Sequence, residues 1–204
     1  MISDIKVIVF DLGNVLINFD YSKISTALNK IDTGLGDRFI KIYYENYHIH
    51  RKYEKWAISD DKFLKIMLEW CEFKINGETF KNIYANLFTE NFQTTALLPI
   101  LKENYKLVLL SNTNFIHKKY GWENYDFLKY FDKLILSHEV GAIKPENKIY
   151  KEVESYTNQS PECHIFIDDI AEYVNAAKKR GWNGIQFVNC EKLLSDFKSY
   201  NILI

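Results

Sequence analysis

Cysteine is scarce in this chain. The three present, Cys71, Cys163 and Cys190, are odd in number and widely spaced. No pair has metal-ligand spacing, so neither a cysteine-based metal site nor a disulfide framework is expected, and a reduced, cytoplasmic setting fits. An excess of charge is missing too: 26 Lys+Arg stand against 27 Asp+Glu, a formal net charge of −1. That balance offers no electrostatic case for nucleic acid or an anionic membrane surface as a partner. No apolar run is long enough to cross a bilayer. The first strand-like run begins within a few residues of Met1, so no signal peptide is expected. Internal repeats and low-complexity tracts are absent. The composition says nothing about oligomeric state.

What is present is enough apolar material for a folded core. Hydrophobic residues make up 47% of 204, which excludes a disordered chain and suits one substantial core, or one core plus a small accessory domain.

The segment Lys6-Val7-Ile8-Val9-Phe10-Asp11-Leu12-Gly13-Asn14-Val15-Leu16 is the most informative. Its apolar, β-branched run lacks polar alternation and reads as a buried strand of a parallel sheet. It delivers one carboxylate, Asp11, before a glycine. Ligands of such sheets bind outside the carboxyl ends of the strands, and a carboxylate buried there needs a cationic partner. Three further apolar runs end in polar groups. Lys106–Leu110 is followed by Ser111-Asn112-Thr113-Asn114. Leu134–Leu136 is followed by Ser137-His138-Glu139 and then Lys144-Pro145-Glu146. His164–Ile167 is followed by Asp168-Asp169.

Between Tyr21 and Glu90 the periodicity is helical. Apolar stripes recur at Ile24, Leu28 and Ile31; at Phe39, Ile42, Tyr43 and Tyr47; at Phe63, Ile66, Met67 and Trp70; and at Phe80, Ile83, Tyr84, Leu87 and Phe88. Ser59-Asp60-Asp61 and Asn76-Gly77-Glu78 read as helix starts. Helices expected from about Thr94, Glu146, Ala171 and Cys190 alternate with the later strands. The expectation is an α/β chain: a doubly wound parallel core from residues 1–17 and 92–204, with a four-helix bundle, 18–91, inserted at the catalytic edge. A bundle hung there on two linkers is placed to act as a lid.

The order carboxylate, hydroxyl with amide, lysine, carboxylate pair resembles the haloacid dehalogenase superfamily of aspartate-nucleophile hydrolases. The match is to its phosphatase branch, in particular a subgroup whose first motif reads FDLGNV and which includes bacterial sugar-phosphate phosphatases. The resemblance covers nearly the whole chain. It implies a Rossmann-like core with a helical cap, and Mg²⁺-dependent hydrolysis of a small phosphorylated metabolite. Asp11 would be the nucleophile and Lys144 the charge that steadies it. Ser111, the Asn112 amide and Lys144 would bind phosphate. Asp11, the Gly13 carbonyl and Asp169 would hold the ion. Asp168 would lie close by, binding the ion through water or steadying Lys144; sequence does not settle which of the two aspartates touches metal.

One position departs from the pattern. Most phosphatases of the superfamily carry an aspartate two residues after the nucleophile, where it serves as general acid and base; here that position is Gly13. A slower enzyme, a substrate whose leaving group needs little protonation, or a substitute from the cap would each be consistent. The cap segment His48–Ser59 is expected to set specificity through His50, Tyr53, Glu54 and Trp56, with His48, His50 and Glu54 as candidate acids. Trp56 stands where relatives often have glycine, which would narrow the pocket or supply a stacking surface. His117 and His138 read as local hydrogen-bonding groups. Two other readings stay open: a metal-independent dehalogenase, against which the Asp168-Asp169 pair argues, and a catalytically weak, ligand-binding relative, which Gly13 motivates.

Overall fold

A computed structural model describes residues 4–204; residues 1–3 of the expected core segment lie outside the described residues. The run Val7–Phe10 forms β1, and all four residues are buried. It is the middle strand of a five-stranded parallel sheet of order β5-β4-β1-β6-β7, with β4 at Lys106–Ser111, β5 at Lys133–Leu136, β6 at His164–Asp168 and β7 at Asn183–Gln186. Side chains alternate across a strand, so β1 feeds two cores at once. Ile8 and Phe10 pack with Leu107, Leu109, Ile165 and Ile167 on one face. Val7 and Val9 pack with Val108, Leu110 and Phe166 on the other. Both faces are covered by helices, which is why the run carries no polar alternation. Register places Phe10 opposite Leu109 and Ile167. Asp11, Ser111 and Asp168 therefore emerge together at the carboxyl edge, where the strand order reverses.

Two short strands, β2 (Ile17–Phe19) and β3 (Phe88–Glu90), pair antiparallel. They tie together the outgoing and returning connections of the helical segment. Asn91 reinforces the return: its backbone N–H donates to Leu16 O at 2.9 Å and its side chain to Val15 O at 3.0 Å. Helices α1 (Ser22–Asn29), α2 (Leu35–Glu45), α3 (Tyr47–Glu54), α4 (Asp60–Trp70) and α5 (Gly77–Ala85) lie between. The four apolar stripes fall mainly on α1, α2, α4 and α5, but Ile31 and Leu87 lie past their helix ends, Tyr47 opens α3 and Phe88 opens β3; the four helices bury a core of their own around Leu28, Phe39, Tyr43, Phe63, Met67 and Phe80. Ser59 and Asn76 cap α4 and α5, accepting from Lys62 N–H and Thr79 N–H. The segment expected to be a specificity loop is instead largely the helix α3. Its interruption from α2 falls at Asn46, whose side chain turns back onto the Ile42 carbonyl at 3.0 Å.

The remaining α-helices are α6 (Phe92–Thr95), α7 (Leu98–Lys102), α8 (Phe115–His117), α9 (Ser137–Val140), α10 (Asn147–Thr157), α11 (Ala171–Lys179) and α12 (Cys190–Ser199). Among the described residues, no helix is long and apolar enough to cross a membrane.

Candidate active site

The turn after β1 is built by hydrogen bonds that leave Asp11 at its rim. Asp11 N–H donates to Ile167 O at 2.9 Å, Asn14 N–H to Ile17 O at 2.6 Å and Ile17 N–H to Leu12 O at 3.0 Å. Asn14 adopts φ +55°, a left-handed conformation that asparagine tolerates better than most side chains.

Lys144 reaches this rim from the loop after α9. Its Nζ lies 2.7 Å from Asp11 Oδ1 and 2.6 Å from Asp168 Oδ2, and the side chain is almost fully buried. The ammonium also sits over the rings of Tyr173 and Phe166, 5.2 and 5.4 Å from their centroids. The Asn112 side chain clamps the lysine backbone, accepting from Lys144 N–H at 2.7 Å and donating to Lys144 O at 3.2 Å. That side-chain role was not visible in the sequence.

The two adjacent aspartates are occupied differently. Asp168 Oδ2 takes Lys144 and Oδ1 accepts from Ile170 N–H at 2.8 Å. Asp169 is partly buried; its Oδ2 accepts from the Asn14 amide at 2.9 Å. Asp11, Asp168 and Asp169 each present an oxygen within 4.8 Å of the others. Three carboxylates thus face one ammonium, an all-oxygen donor set with residual negative charge, and this is the environment a hard divalent cation takes. Burial is the largest influence on Asp11 and raises its pKa to about 7; Lys144 pulls it down and Asp168 pushes it up. Burial works against the Lys144 ammonium, but the two carboxylates outweigh it and hold the lysine charged. Burial also raises Asp169, against the Asn14 hydrogen bond.

A cavity of about 160 Å³ opens above Asp11. Asp11, Gly13, Ser111, Asn112, Lys144 and Asp169 form its floor. Its roof comes from Tyr21, Tyr47, His50, Arg51 and Glu54 of the helical segment, and its wall includes His117, Trp122 and Tyr173. Glu54 is buried between His50 Nε2 at 3.1 Å and Arg51 Nη1 at 2.9 Å. Burial pushes its carboxyl up, but His50 and Arg51 together hold it below the usual range, so it is ionised at neutral pH. Arg51 also donates to Lys144 O at 3.2 Å, and Lys55 pairs with Glu146 at 2.7 Å. Two cations from the end of α3 thereby grip the loop that carries Lys144.

The structure brings His50 and Glu54 to the cavity but not the other two specificity candidates. Tyr53 points into the helical core, stacked on Phe63 with centroids 4.0 Å apart and its hydroxyl bonded to Asp60. Trp56 lies beyond the end of α3 at φ +58°, 48% exposed, and lines a separate surface hollow with Phe115 and His138. His48 is exposed and His138 is bonded to Thr113 O at 3.2 Å, both away from the cavity. Above Gly13, a ring carbon of Phe19 lies 3.0 Å from where a Cβ would be. Sequence reasoning missed Asn14, Arg51 and Trp122. For Asn14 a signal existed: it follows Gly13 in a turn that must reverse sharply.

Comparison with known proteins agrees with this fold. The family model for haloacid dehalogenase-like hydrolases matches residues 5–181. The chain belongs to this family. Among curated relatives, it is 29% identical over 192 residues to D-ribitol-5-phosphate phosphatase of Bacteroides thetaiotaomicron, covering 89% of this chain and 91% of that protein. It is 26% identical over 185 residues to a phosphorylated carbohydrates phosphatase of Thermotoga maritima, covering 86% and 82%. A HAD family enzyme from Bacteroides thetaiotaomicron, solved with magnesium and inorganic phosphate, superposes with a TM-score of 0.73 at 28% identity, covering 89% of this chain and 93% of that one.

Proposed function

We propose that this haloacid dehalogenase-like hydrolase is a phosphoric monoester hydrolase acting on a small sugar or polyol phosphate through an aspartyl-phosphate on Asp11. The observation that carries the reading is the buried Asp11–Lys144–Asp168 chain with Asp169 beside it, at the carboxyl edge of the sheet. Similarity to two phosphatases of phosphorylated carbohydrates or polyols supports the substrate class. The cavity, about 160 Å³, is smaller than the roughly 300–1,000 Å³ of sites for drug-sized ligands, which favours a monoester of a few carbons.

In this reading an Asp11 carboxylate oxygen attacks phosphorus in line, and the bond from phosphorus to the ester oxygen breaks. The electron pair leaves with that oxygen, which takes up a proton to give the alcohol. Water then attacks the aspartyl-phosphate, losing a proton and releasing inorganic phosphate and the Asp11 carboxylate. Lys144, Ser111 and the Asn112 amide stabilise the equatorial oxygens. Asp11, the Gly13 carbonyl and Asp169 would hold Mg²⁺, which when bound supplies further charge neutralisation. Asp168 holds Lys144 and the start of α11. Residues 18–91 act as the cap, excluding water when Arg51 and Lys55 engage the Lys144 loop. Attack on carbon, as in a dehalogenase, would leave the cluster of three carboxylates without use.

The test is phosphate release from a panel of phosphorylated sugars and polyols, with Mg²⁺ and with chelator. Mg²⁺-dependent release that is lost in Asp11→Asn is expected. Undiminished, metal-independent turnover by Asp11→Asn would sink the reading.

A further inference from the structure

The floor of the cavity holds the groups that phosphoryl transfer uses. Three groups of the roof and wall have no part in that chemistry, namely Glu54, His117 and Trp122. Glu54 is 6% exposed and held rigidly. One oxygen takes His50 Nε2 and the other Arg51 Nη1. His50 is fixed in turn by the Tyr43 and Tyr84 hydroxyls, 2.7 and 2.8 Å from Nδ1. A carboxylate offers about four lone-pair sites, so each oxygen keeps acceptor capacity. Its pairing with His50 and Arg51 outweighs the cost of burial and keeps the carboxylate charged, so it faces the cavity as an acceptor.

His117 and Trp122 present the complementary chemistry. Asn114 Oδ1 accepts from His117 N–H, which turns the Asn114 amide nitrogen toward His117 Nδ1 at 3.1 Å. Nδ1 therefore accepts, and the proton of the neutral ring sits on Nε2. Burial keeps the ring neutral, driving its pKa well below the ordinary histidine value. His117 Nε2 and Trp122 Nε1 are both buried; neither makes a hydrogen bond of good geometry among the described residues, the Tyr84 backbone lying close to the His117 ring without completing one. Buried donors are rarely left so, because an unpaired one loses its hydration without compensation. Both residues line the cavity that holds Asp11 and Glu54.

We infer that Glu54, His117 and Trp122 form a subsite that reads the hydroxyl groups of the departing alcohol. A hydroxyl donates once and accepts twice. Neighbouring hydroxyls can donate to the Glu54 carboxylate while accepting from His117 Nε2–H and Trp122 Nε1–H. An alkyl chain of equal size would fill the space but leave both N–H groups unpaired and cover a carboxylate that loses its remaining solvation. Sites built around hydroxyl recognition reject the analogue lacking the hydroxyl far more strongly than apolar pockets reject a wrong size. Arg51 does not overturn this preference, since its two terminal nitrogens are engaged by Glu54 and the Lys144 carbonyl.

The inference rests on the phosphatase reading above, and the experiment separates the two. The kcat/KM values for erythritol 4-phosphate and n-butyl phosphate are measured on the full chain with Mg²⁺, in wild type, Trp122→Phe and Glu54→Gln. Wild type is expected to prefer the polyol ester by on the order of 100-fold or more. Trp122→Phe keeps the ring packing and removes one donor, and it should compress that ratio about tenfold; Glu54→Gln should compress it as well. A purely structural role would lower both substrates together and leave the ratio alone. A wild-type ratio near one overturns the inference without any variant, and so does a ratio unchanged in both variants. If wild type hydrolyses no phosphate monoester at all, phenyl phosphate included, the phosphatase reading fails and the subsite falls with it.

Discussion

Asn14 and Asp169 are 155 positions apart, yet the Asn14 side-chain amide donates to Asp169 Oδ2 at 2.9 Å. That bond, and the hold of Lys144 and Ile170 N–H on Asp168, give different partners to two neighbouring aspartates that the sequence leaves equivalent. Lys144 fixes Asp168, and Asn14 orients Asp169.

Removing that orientation should weaken metal use more than chemistry. Asn14→Ala is expected to raise the Mg²⁺ concentration for half-maximal activity by about 10- to 100-fold, the usual effect of losing a partner behind a metal ligand, with much of the rate recovered at saturating Mg²⁺. A Mg²⁺ titration of phosphate release measures this. An unchanged titration curve would assign Asn14 to the turn alone.

Lys144 is a stability residue as well as a candidate site residue, because two buried carboxylates depend on it. Lys144→Ala should destabilise the fold by about 3–5 kcal/mol, the cost of leaving a buried charge without its partner. It should also lower kcat/KM by about 10²-fold or more. Adding Asp168→Asn should restore part of the stability and none of the activity. Urea denaturation of the single and double variants checks the first claim, and steady-state kinetics the second.

Gly13 removes the acid that most phosphatases of the family carry, and the structure shows what stands there instead. A Cβ on residue 13 would lie 3.0 Å from the Phe19 ring, so the ring must shift before an aspartate side chain fits. Glu54 is ionised and is not a proton donor at neutral pH. The wild-type rate should therefore rise steeply with leaving-group acidity, aryl phosphates outrunning simple alkyl phosphates. Gly13→Asp combined with Phe19→Ala should flatten that dependence more than Gly13→Asp alone. A flat dependence in wild type would show that another group protonates the leaving oxygen.

Three buried or half-buried histidines make the fold acid-sensitive. Burial lowers the pKa of His117, His138 and His164. In the unfolded chain each protonates near 6.5, while the folded ring stays neutral to lower pH. The unfolded state then binds more protons, so stability is full above about pH 6.5 and falls as pH drops toward the lowered folded values. The slope is at most about 1.4 kcal/mol per pH unit for each ring. Urea midpoints measured from pH 7.5 to 5 should fall, and His164→Phe, away from the cavity, should reduce the slope. Asp11, raised to about 7, works in the opposite sense over part of that range, so the deciding comparison is between variants: a slope unchanged in His164→Phe would contradict the burial argument.

The catalytic edge was legible because its signals are local. An apolar β-branched run ending in a carboxylate and a glycine, repeated with other polar endings, dictates buried strands and places Asp11, Ser111 and Asp168 at one edge. Helical periodicity in the intervening segment was legible for the same reason: a stripe every three to four residues needs only the helix itself.

Side-chain direction was not legible, because it depends on how one element is rotated against another. His50 and Glu54 share a face of α3 and meet the cavity, whereas Tyr53 turns into the helical core and Trp56, past the helix end, turns outward. Arg51 and Lys55 find partners in the loop after α9, and Asn14 finds Asp169. The sequence by itself determined the strands, the order of the groups at their ends and the helical insert. Only the tertiary structure decided which partner holds each aspartate, which cap residues line the cavity, and where buried donors go unpaired, since these depend on the packing of segments remote in sequence.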